Sequence, residues 1–391
     1  MLKYFITFLY ILGTSSLFAQ NTNCNCLDEL ENITKLIQNA KSYTVQIKKN
    51  NKEDELNVWK AKVAEEIKND SLKDFFCMGY LQKYASYIND RHNEIYKVPE
   101  DISSSVPIYT KPIDTLKISN DGVSGIYHMG SDKIFLKKES DLLWYGITLD
   151  SSKEAWKPGA IRLKIQQKPD GSYELFEFYQ NGILFYQKDI KIADGRIHGT
   201  FWNTSNQYFF NKNHKENFNY EAINTSFDYI GIKTLKRTRS LMKEAERFYE
   251  ETLPKLTRQN LIVDLRNNGG GATKQADELL KHLKRNNTIQ KVYVLINFKT
   301  GSSAELTTLA LKKDPRTIIV GENSRGMLEY GYGNKAFSST TDCAGIKTVL
   351  STKHINSDLS KYESKGISPD YGLNNESDWL EQVIQLDNAL K

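Results

Sequence analysis

Residues 261–305 constrain the fold most, because two apolar segments in this stretch each run into a turn of small residues. The first, LIVDLRNNGGG (261–271), opens with the apolar run LIV, which is typical of a buried parallel strand. The three glycines that follow allow backbone N–H groups to turn towards a ligand. The second, VYVLINFKTGSSAE (292–305), is a buried strand followed by a serine-containing turn, and residues 306–312 then read as a helix. A serine near a helix N-terminus can expose its hydroxyl where backbone donors stabilise an oxyanion. The stretch therefore predicts an active site.

These residues resemble the C-terminal processing, or tail-specific, serine peptidases, whose motifs are DLR-x-N-x-GG and T-x-S-x-x-E. We call DLRNNGG (264–270) the glycine loop and TGSSAE (300–305) the serine turn. VGENSRGM (320–327) and YESKGISPD (362–370) are similar to two further family segments, VGE-x-T-x-G and EG-x-GI-x-PD. The resemblance covers the chain from residue 227 to the C-terminus. It implies a ClpP/crotonase-like fold and a serine-type endopeptidase that cleaves peptide bonds.

The resemblance also implies roles for single residues. It makes Ser302 the nucleophile that forms an acyl-enzyme, with Gly269 or Gly270 and the N–H of Ser303 as oxyanion donors. The best-known members use a lysine after VGE as the general base. Here that position is Met327, which cannot accept a proton, so the usual serine–lysine pair is excluded.

Three explanations for the missing lysine are open. Lys299 or Lys335 replaces it, although neither stands at the matching position. His92 is the base, oriented by Glu363, which would resemble the tricorn-like and interphotoreceptor retinoid-binding-like branch; DRH (90–92) stands where relatives have a D-G-H element. Histidine suits the task because its ordinary pKa lies near the operating pH. The third explanation is a catalytically silent member that binds peptides.

Three other residues have weaker assignments. Glu305 is expected to cap the helix after the serine turn. Arg325 is a candidate for holding a substrate carboxylate, and His354 is a lesser alternative base.

Composition describes a soluble globular protein with 39% hydrophobic and 26% charged residues. The net charge of +5 is small against 53 basic and 48 acidic residues, and no basic face with interleaved aromatics indicates nucleic acid as a partner. No His, Asp and Glu spacing predicts a metal site, and the glycine loop lacks the Lys-Ser/Thr pair of a phosphate-binding loop. We expect no cofactor and a peptide or protein substrate. The oligomeric state is left open.

The N-terminus, MLKYFITFLYILGTSSLFAQ, has the layout of a secretory signal peptide with cleavage beside Ala19 or Gln20. It predicts an exported protein, periplasmic or secreted, with no membrane span after processing. Disulfides are permitted in that compartment, and Cys24 or Cys26 is expected to pair with Cys77.

We predict an α+β multidomain chain in four segments, the last of which follows from the family resemblance. These are a signal peptide (1–20), a helical domain (21–100), an antiparallel β domain (105–220) and an α/β peptidase domain (225–391). Helical periodicity covers residues 27–39, 56–67 and 72–88. Strand patterns with intervening turn signals cover residues 161–165, 173–179, 183–186 and 197–202. The β domain occupies the place of a PDZ domain in many relatives but has no convincing carboxylate-binding loop.

Overall fold

The computed structural model describes residues 25–390, so the predicted signal peptide and Cys24 lie outside the described residues. The chain starts with helices and two short 3₁₀ turns, Ile37–Asn39 and Lys48–Asn50. The helices are α1 Cys26–Leu36, α2 Lys41–Gln46, α3 Glu53–Asn69 and α4 Lys73–Ala85. Asn25 begins α1 with a capping box, because its side chain accepts from the backbone of Asp28 while the Asp28 carboxylate accepts from the backbone of Asn25. The three predicted helical segments are confirmed.

A six-stranded antiparallel sheet follows, after the short strand β1 (Glu94–Tyr96). Its strands pair in sequence order and its two edge strands do not pair with each other, so the sheet is an open meander. The strands are β2 Gly125–Met129, β3 Asp132–Ser140, β4 Leu143–Asp150, β5 Ile161–Gln167, β6 Tyr173–Phe178 and β7 Leu184–Ile190. β8 (Ile192–Ala193) and β9 (Arg196–Ile197) form a small hairpin. Three of the predicted strands are confirmed, whereas β2 to β4 carried no prediction.

The predicted strand over residues 197–202 is wrong beyond its first residue. β9 ends at Ile197 and the chain then turns, with the N–H of Thr200 donating to the carbonyl of Ile197 at 3.2 Å. Gly199 has a φ of +83°, a conformation that breaks a strand and that glycine adopts without strain. The buried side chain of Trp202 therefore follows a turn and does not belong to a strand.

The C-terminal part is built on a second six-stranded sheet in the order β10-β11-β12-β13-β14-β19. β10 is antiparallel to β11, and the remaining pairs are parallel. Helices alternate with the parallel strands, as expected for right-handed crossovers. The elements are β10 Phe218–Ala222, β11 Phe227–Ile232, α5 Arg239–Thr252, β12 Asn260–Asp264, α6 Asp277–Arg285, β13 Lys291–Ile296, α7 Ser303–Lys312, β14 Thr317–Gly321, β19 Tyr371–Gly372 and α8 Trp379–Ala389, with 3₁₀ turns at Leu253–Lys255 and Thr273–Ala276.

Between β14 and β19 the chain forms four short strands and the 3₁₀ turn Ser357–Leu359. The strands are β15 Tyr330–Gly331, β16 Phe337–Thr340, β17 Lys347–Leu350 and β18 Lys353–His354. β17 pairs antiparallel with β16 on one side and with β1 on the other. β1 directly follows the helices, so this pairing joins the N-terminal part of the chain to the C-terminal part.

One continuous apolar core also joins these parts. It contains Ile33 and Phe76 from the helices, Phe176 from the antiparallel sheet, and Ile346 and Leu350 from the C-terminal part. A disulfide between Cys26 and Cys77 ties α1 to α4 inside this core, and Cys343 is also disulfide-bonded. The mixed α+β class is therefore confirmed, while the domain boundaries stay a prediction.

Within residues 25–390, no helix is both long and apolar enough to cross a membrane.

Candidate active site

Ser302 stands between β13 and α7, at the point where a strand gives way to a helix. Its φ of 54° and ψ of −120° are strained for a residue that carries a Cβ. α7 begins at Ser303, three residues earlier than predicted, so Ser302 lies directly at the helix N-terminus. The conformation leaves the Ser302 side chain half-buried above the carboxyl ends of the parallel strands.

The glycine loop packs directly against the serine turn. The N–H of Gly301 donates to the carbonyl of Asn268 at 2.9 Å, and the Thr300 hydroxyl donates to the carbonyl of Leu265 at 2.8 Å. Gly270 has a φ of +96°, and a Cβ at this position would lie 2.8 Å from the nitrogen of Ser303. The two motifs therefore need glycine at position 270 to approach this closely.

The backbone donors at the site differ in their availability. The Ser303 N–H is the first of α7 and has no acceptor among residues 25–390, as expected for an orphan helix donor. Gly269 is exposed, and its N–H also has no acceptor in that part of the chain. In contrast, the Gly270 N–H donates to the side-chain oxygen of Asn268 at 3.0 Å. Of the three expected oxyanion donors, Gly270 is thus the one already engaged.

His92 lies beside Ser302 although 210 positions separate them in the chain. Nε2 of the ring is 3.2 Å from the Ser302 Oγ, and the side chain is almost fully buried. Burial, assisted by the positive charge of Arg325, lowers the pKa of His92 to about 4. The Tyr332 ring packs edge-on against the imidazole, with the ring centroids 5.2 Å apart. The imidazole is therefore neutral at pH 7.

The carboxylate nearest to the other ring nitrogen belongs to Asp90. Oδ1 of Asp90 lies 3.8 Å from Nδ1 of His92 and accepts the His92 backbone N–H at 2.9 Å. The Ser351 hydroxyl donates to Oδ2 at 2.5 Å. Nδ1 itself has no hydrogen-bond partner among residues 25–390. In the sequence, Asp90 stands out only as part of the DRH element. Its side chain accepts the backbone N–H two residues further on, as in an Asx turn, and an Asp in a turn is a signal for this bond.

Glu363 occupies a different position from the one predicted. Its carboxylate accepts the backbone N–H groups of Arg91, Leu328 and Glu329 at 2.8 to 2.9 Å, and no contact with the His92 ring is present among these bonds. Burial raises the pKa of Glu363 to about 7, against the lowering effect of these three donors. Glu363 therefore links the turn that carries His92 to the segment after Met327.

Glu305 caps α7, the helix after the serine turn, as expected, and it also accepts hydrogen bonds from residues 324–327. One carboxylate oxygen accepts the N–H groups of Ser302 and Met327, each at 2.8 Å. The other accepts from the Ser324 hydroxyl and the Gly326 N–H at 2.5 and 2.6 Å. The side chain is completely buried, and burial raises its pKa. It thus joins α7 to the loop after β14.

The other candidate bases are not placed against Ser302. Lys299 is exposed and lies over the Phe201 ring, with Nζ 4.9 Å from the centroid, and Lys335 is also exposed. His354 stacks on Tyr330 and contacts Glu329 at 3.1 Å. Within residues 25–390, no group of three or more His, Cys, Asp and Glu side chains is arranged to hold a metal ion.

In comparisons with known proteins, one family model matches part of the chain. Residues 227–292 and 284–373 match the model of peptidase family S41. No curated protein sequence matches the chain.

Solved structures resemble the chain at low identity. The photosystem II D1 C-terminal processing protease is 15% identical, with 93% of this chain and 97% of that chain covered and a TM-score of 0.34. Mature CPAF complexed with lactacystin is 12% identical, with 94% and 98% covered and a TM-score of 0.43. A lipoprotein from Streptococcus agalactiae is 19% identical, with 45% and 71% covered and a TM-score of 0.32. Residues 227–373, which carry the motifs of the glycine loop and the serine turn, are therefore similar to peptidase family S41.

Proposed function

We propose that the chain is an exported serine endopeptidase that cleaves peptide bonds through an acyl-enzyme on Ser302. The observation that carries this proposal is the distance of 3.2 Å between the Ser302 Oγ and Nε2 of His92. A neutral imidazole at hydrogen-bond distance from a serine hydroxyl is the arrangement that general-base activation needs. Met327, in place of the usual lysine, makes such a histidine necessary for activity.

In the first step, Nε2 of His92 takes the proton of the Ser302 hydroxyl while Oγ bonds to the carbonyl carbon of the substrate. The carbonyl oxygen becomes an oxyanion, for which the N–H groups of Ser303 and Gly269 are the available donors. The Gly270 N–H could donate to the oxyanion only if its hydrogen bond to the Asn268 side chain were broken. The imidazolium then protonates the leaving amine as the C–N bond breaks. A water molecule, deprotonated by His92, hydrolyses the acyl-enzyme and restores Ser302.

This scheme requires Nδ1 of His92 to carry a proton, since Nε2 must be free to accept one. We assign Asp90 to hold that tautomer, because its Oδ1 is the carboxylate oxygen beside Nδ1 and a small ring rotation would shorten the 3.8 Å separation. Glu363, predicted for this task, is better suited to position the His92 turn through the N–H of Arg91. Both are positioning residues in this scheme.

The remaining expectations are part of the same proposal. The parallel sheet with the glycine loop and the serine turn at its carboxyl edge supports a ClpP/crotonase-like peptidase domain over 225–391. We further propose the helical domain (21–100), the antiparallel β domain (105–220), and a signal peptide over 1–20 that directs export to the periplasm or outside the cell. The disulfide between Cys26 and Cys77 suits an oxidising compartment.

A fluorophosphonate probe tests the proposal, because it reacts covalently with an activated serine. We expect labelling of the wild-type protein and none of Ser302→Ala. Ser240→Ala, which removes an exposed serine hydroxyl on α5, should label like the wild type. An unlabelled wild-type protein would favour the alternative, a catalytically silent family member that binds peptides in the same cleft, for which Met327 is the supporting observation.

A further inference from the structure

We propose that Arg91 and Arg325 form a subsite that binds a carboxylate of the peptide substrate beside Ser302. The inference deepens the proposed function and rests on it, because it names the substrate class of the same site. Arginine suits this task since its planar guanidinium binds a carboxylate through two parallel hydrogen bonds.

The backbone brings the segments that carry both arginines close to Ser302. Arg91 precedes His92, and its N–H is fixed by Glu363 at 2.9 Å. Arg325 follows β14, and its N–H donates to the carbonyl of Thr300 in the serine turn at 2.8 Å. A Cβ on Gly301 would lie 3.4 Å from Cδ of Arg325, so the arginine side chain runs along the serine turn.

Hydrogen bonds also join the segment that carries Arg91 to the segment that carries Arg325. Glu363 holds the N–H of Arg91, and the next residue, Ser364, donates its N–H to the carbonyl of Gly326 at 2.9 Å. Burial and, secondarily, the positive charge of Arg325 lower the pKa of Arg91, as they lower that of His92. The two guanidinium groups are therefore close enough to act on each other electrostatically.

Neither guanidinium has a hydrogen-bond or ion-pair partner among residues 25–390. Other arginines of the protein do: each of three buried guanidinium groups contacts a carboxylate, namely Arg162 with Asp132, Arg196 with Glu322 and Arg266 with Asp264. Arg91 is half-buried and burial lowers its pKa, so leaving its charge unpaired is unfavourable. An anionic ligand would remove this cost.

The carboxylates around Arg91 are committed elsewhere. Glu305 accepts four hydrogen bonds and Glu363 accepts three from the donors described above, and Asp189 contacts Lys168 at 2.5 Å. The other groups that the Arg325 charge reaches are Lys299, whose pKa it lowers, and the neutral phenols of Tyr179 and Tyr332. Lys188 likewise lies within the field of Arg91. The two guanidinium groups therefore remain without a carboxylate partner among residues 25–390, and a substrate carboxylate would supply one.

Binding to the Ser302→Ala protein tests the subsite without turnover. Short fluorescein-labelled peptides of one neutral sequence, with Glu or Gln scanned through each position, would be measured by fluorescence anisotropy. A parallel pair with a free or an amidated C-terminus distinguishes a side-chain carboxylate from a terminal one. In the Glu/Gln scan or in the pair with a free or amidated C-terminus, we expect the peptide with the carboxylate to bind roughly 10-fold more tightly than its neutral counterpart. Hydrogen bonds to charged groups contribute an effect of this size.

Three variants of that protein identify the arginines. Arg325→Gln and Arg91→Gln should each remove most of the preference while neutral peptides bind as before, and Arg325→Glu should prefer a Lys peptide. Arg247→Gln, which removes an exposed arginine charge on α5, should keep the preference. Equal binding of carboxylate and neutral peptides, or a preference that survives both Gln variants, would overturn the subsite. A wild-type protein that fluorophosphonate does not label would refute the proposed catalysis but not the carboxylate subsite.

Discussion

Ser302 and His92 are each distinguished by a different feature, Ser302 by backbone strain and His92 by burial. Ser302 has a φ of 54°, and its Oγ lies 3.2 Å from Nε2 of His92. Burial of His92 keeps its imidazole neutral, so that it accepts a proton over a wide pH range. The nearby charge of Arg325 acts in the same direction.

The rate of fluorophosphonate labelling should report this lowered pKa. Only neutral imidazole accepts a proton, so the rate is expected to rise with pH through a midpoint of about 4 and to be level by neutral pH. The ordinary histidine pKa of about 6.5 would put the rise more than two units higher. Arg325→Gln removes a positive charge that favours the neutral ring, so its midpoint should move upwards.

His92→Ala should lower the labelling rate by about 10²–10⁴-fold, the usual contribution of a general base. His282→Ala, which removes a partly exposed histidine on α6, serves as the control and should label normally. The melting temperature of each variant would show that the protein is still folded. A folded His92→Ala protein with the wild-type rate would contradict the assignment of the base.

The first turn of α7 depends on one buried carboxylate. Glu305 is the third residue of its helix and holds four donors from the serine turn and from residues 324–327. Those residues include Arg325 and lie beside the site. Glu305 therefore positions Ser302 together with residues 324–327, which a simple helix cap would not do.

Glu305→Gln should destabilise the protein by about 2 kcal/mol, because an amide NH₂ would face donors that now meet a carboxylate oxygen. Chemical denaturation measures this change. Glu381 is the matched control, since it is also the third residue of a helix, α8, but is exposed. Glu381→Gln should leave the free energy of unfolding almost unchanged; equal effects of the two substitutions would refute the special position of Glu305.

The helices and the C-terminal part must fold together for the site to exist, because His92 and Ser302 are 210 positions apart in the chain. The pairing of β1 with β17 and the shared apolar core hold the helices against the C-terminal part. Buried ion pairs hold the same helices against the antiparallel sheet. Nζ of Lys83 on α4 contacts carboxylate oxygens of Glu66 at 2.5 Å and of Glu174 on β6 at 2.6 Å.

Lys83→Met should lower the free energy of unfolding by about 3–5 kcal/mol, because it leaves the buried Glu174 carboxylate without its cation. The double variant Lys83→Met/Glu174→Leu should recover part of this loss. Lys60→Met removes a cation that pairs with the exposed carboxylate of Glu31, and it should cost under about 1 kcal/mol. Denaturant unfolding compares the three proteins. A loss no larger for Lys83→Met than for Lys60→Met would contradict the structural role of this pair.

The sequence by itself determined the local elements and the chemistry of the peptidase motifs. Apolar runs of β-branched residues specified β12 and β13, and glycine and serine specified the turns after them, because such signals depend on neighbours in the chain. The helices 26–36, 53–69 and 73–85 were readable for the same reason. The strands from 125 to 150 carried no individual prediction, although WYGIT (144–148) contains aromatic and β-branched residues that favour a strand.

Only the folded chain decided which side chains meet. The carboxylate beside Nδ1 of His92 is Asp90 and not Glu363, and the turn of residues 90–92 precedes β1, which pairs with β17. That pairing lies between residues more than two hundred positions apart, and its register has no signature in either strand alone. The availability of the Gly269, Gly270 and Ser303 N–H groups was equally undetermined, since it depends on where Asn268 points in three dimensions.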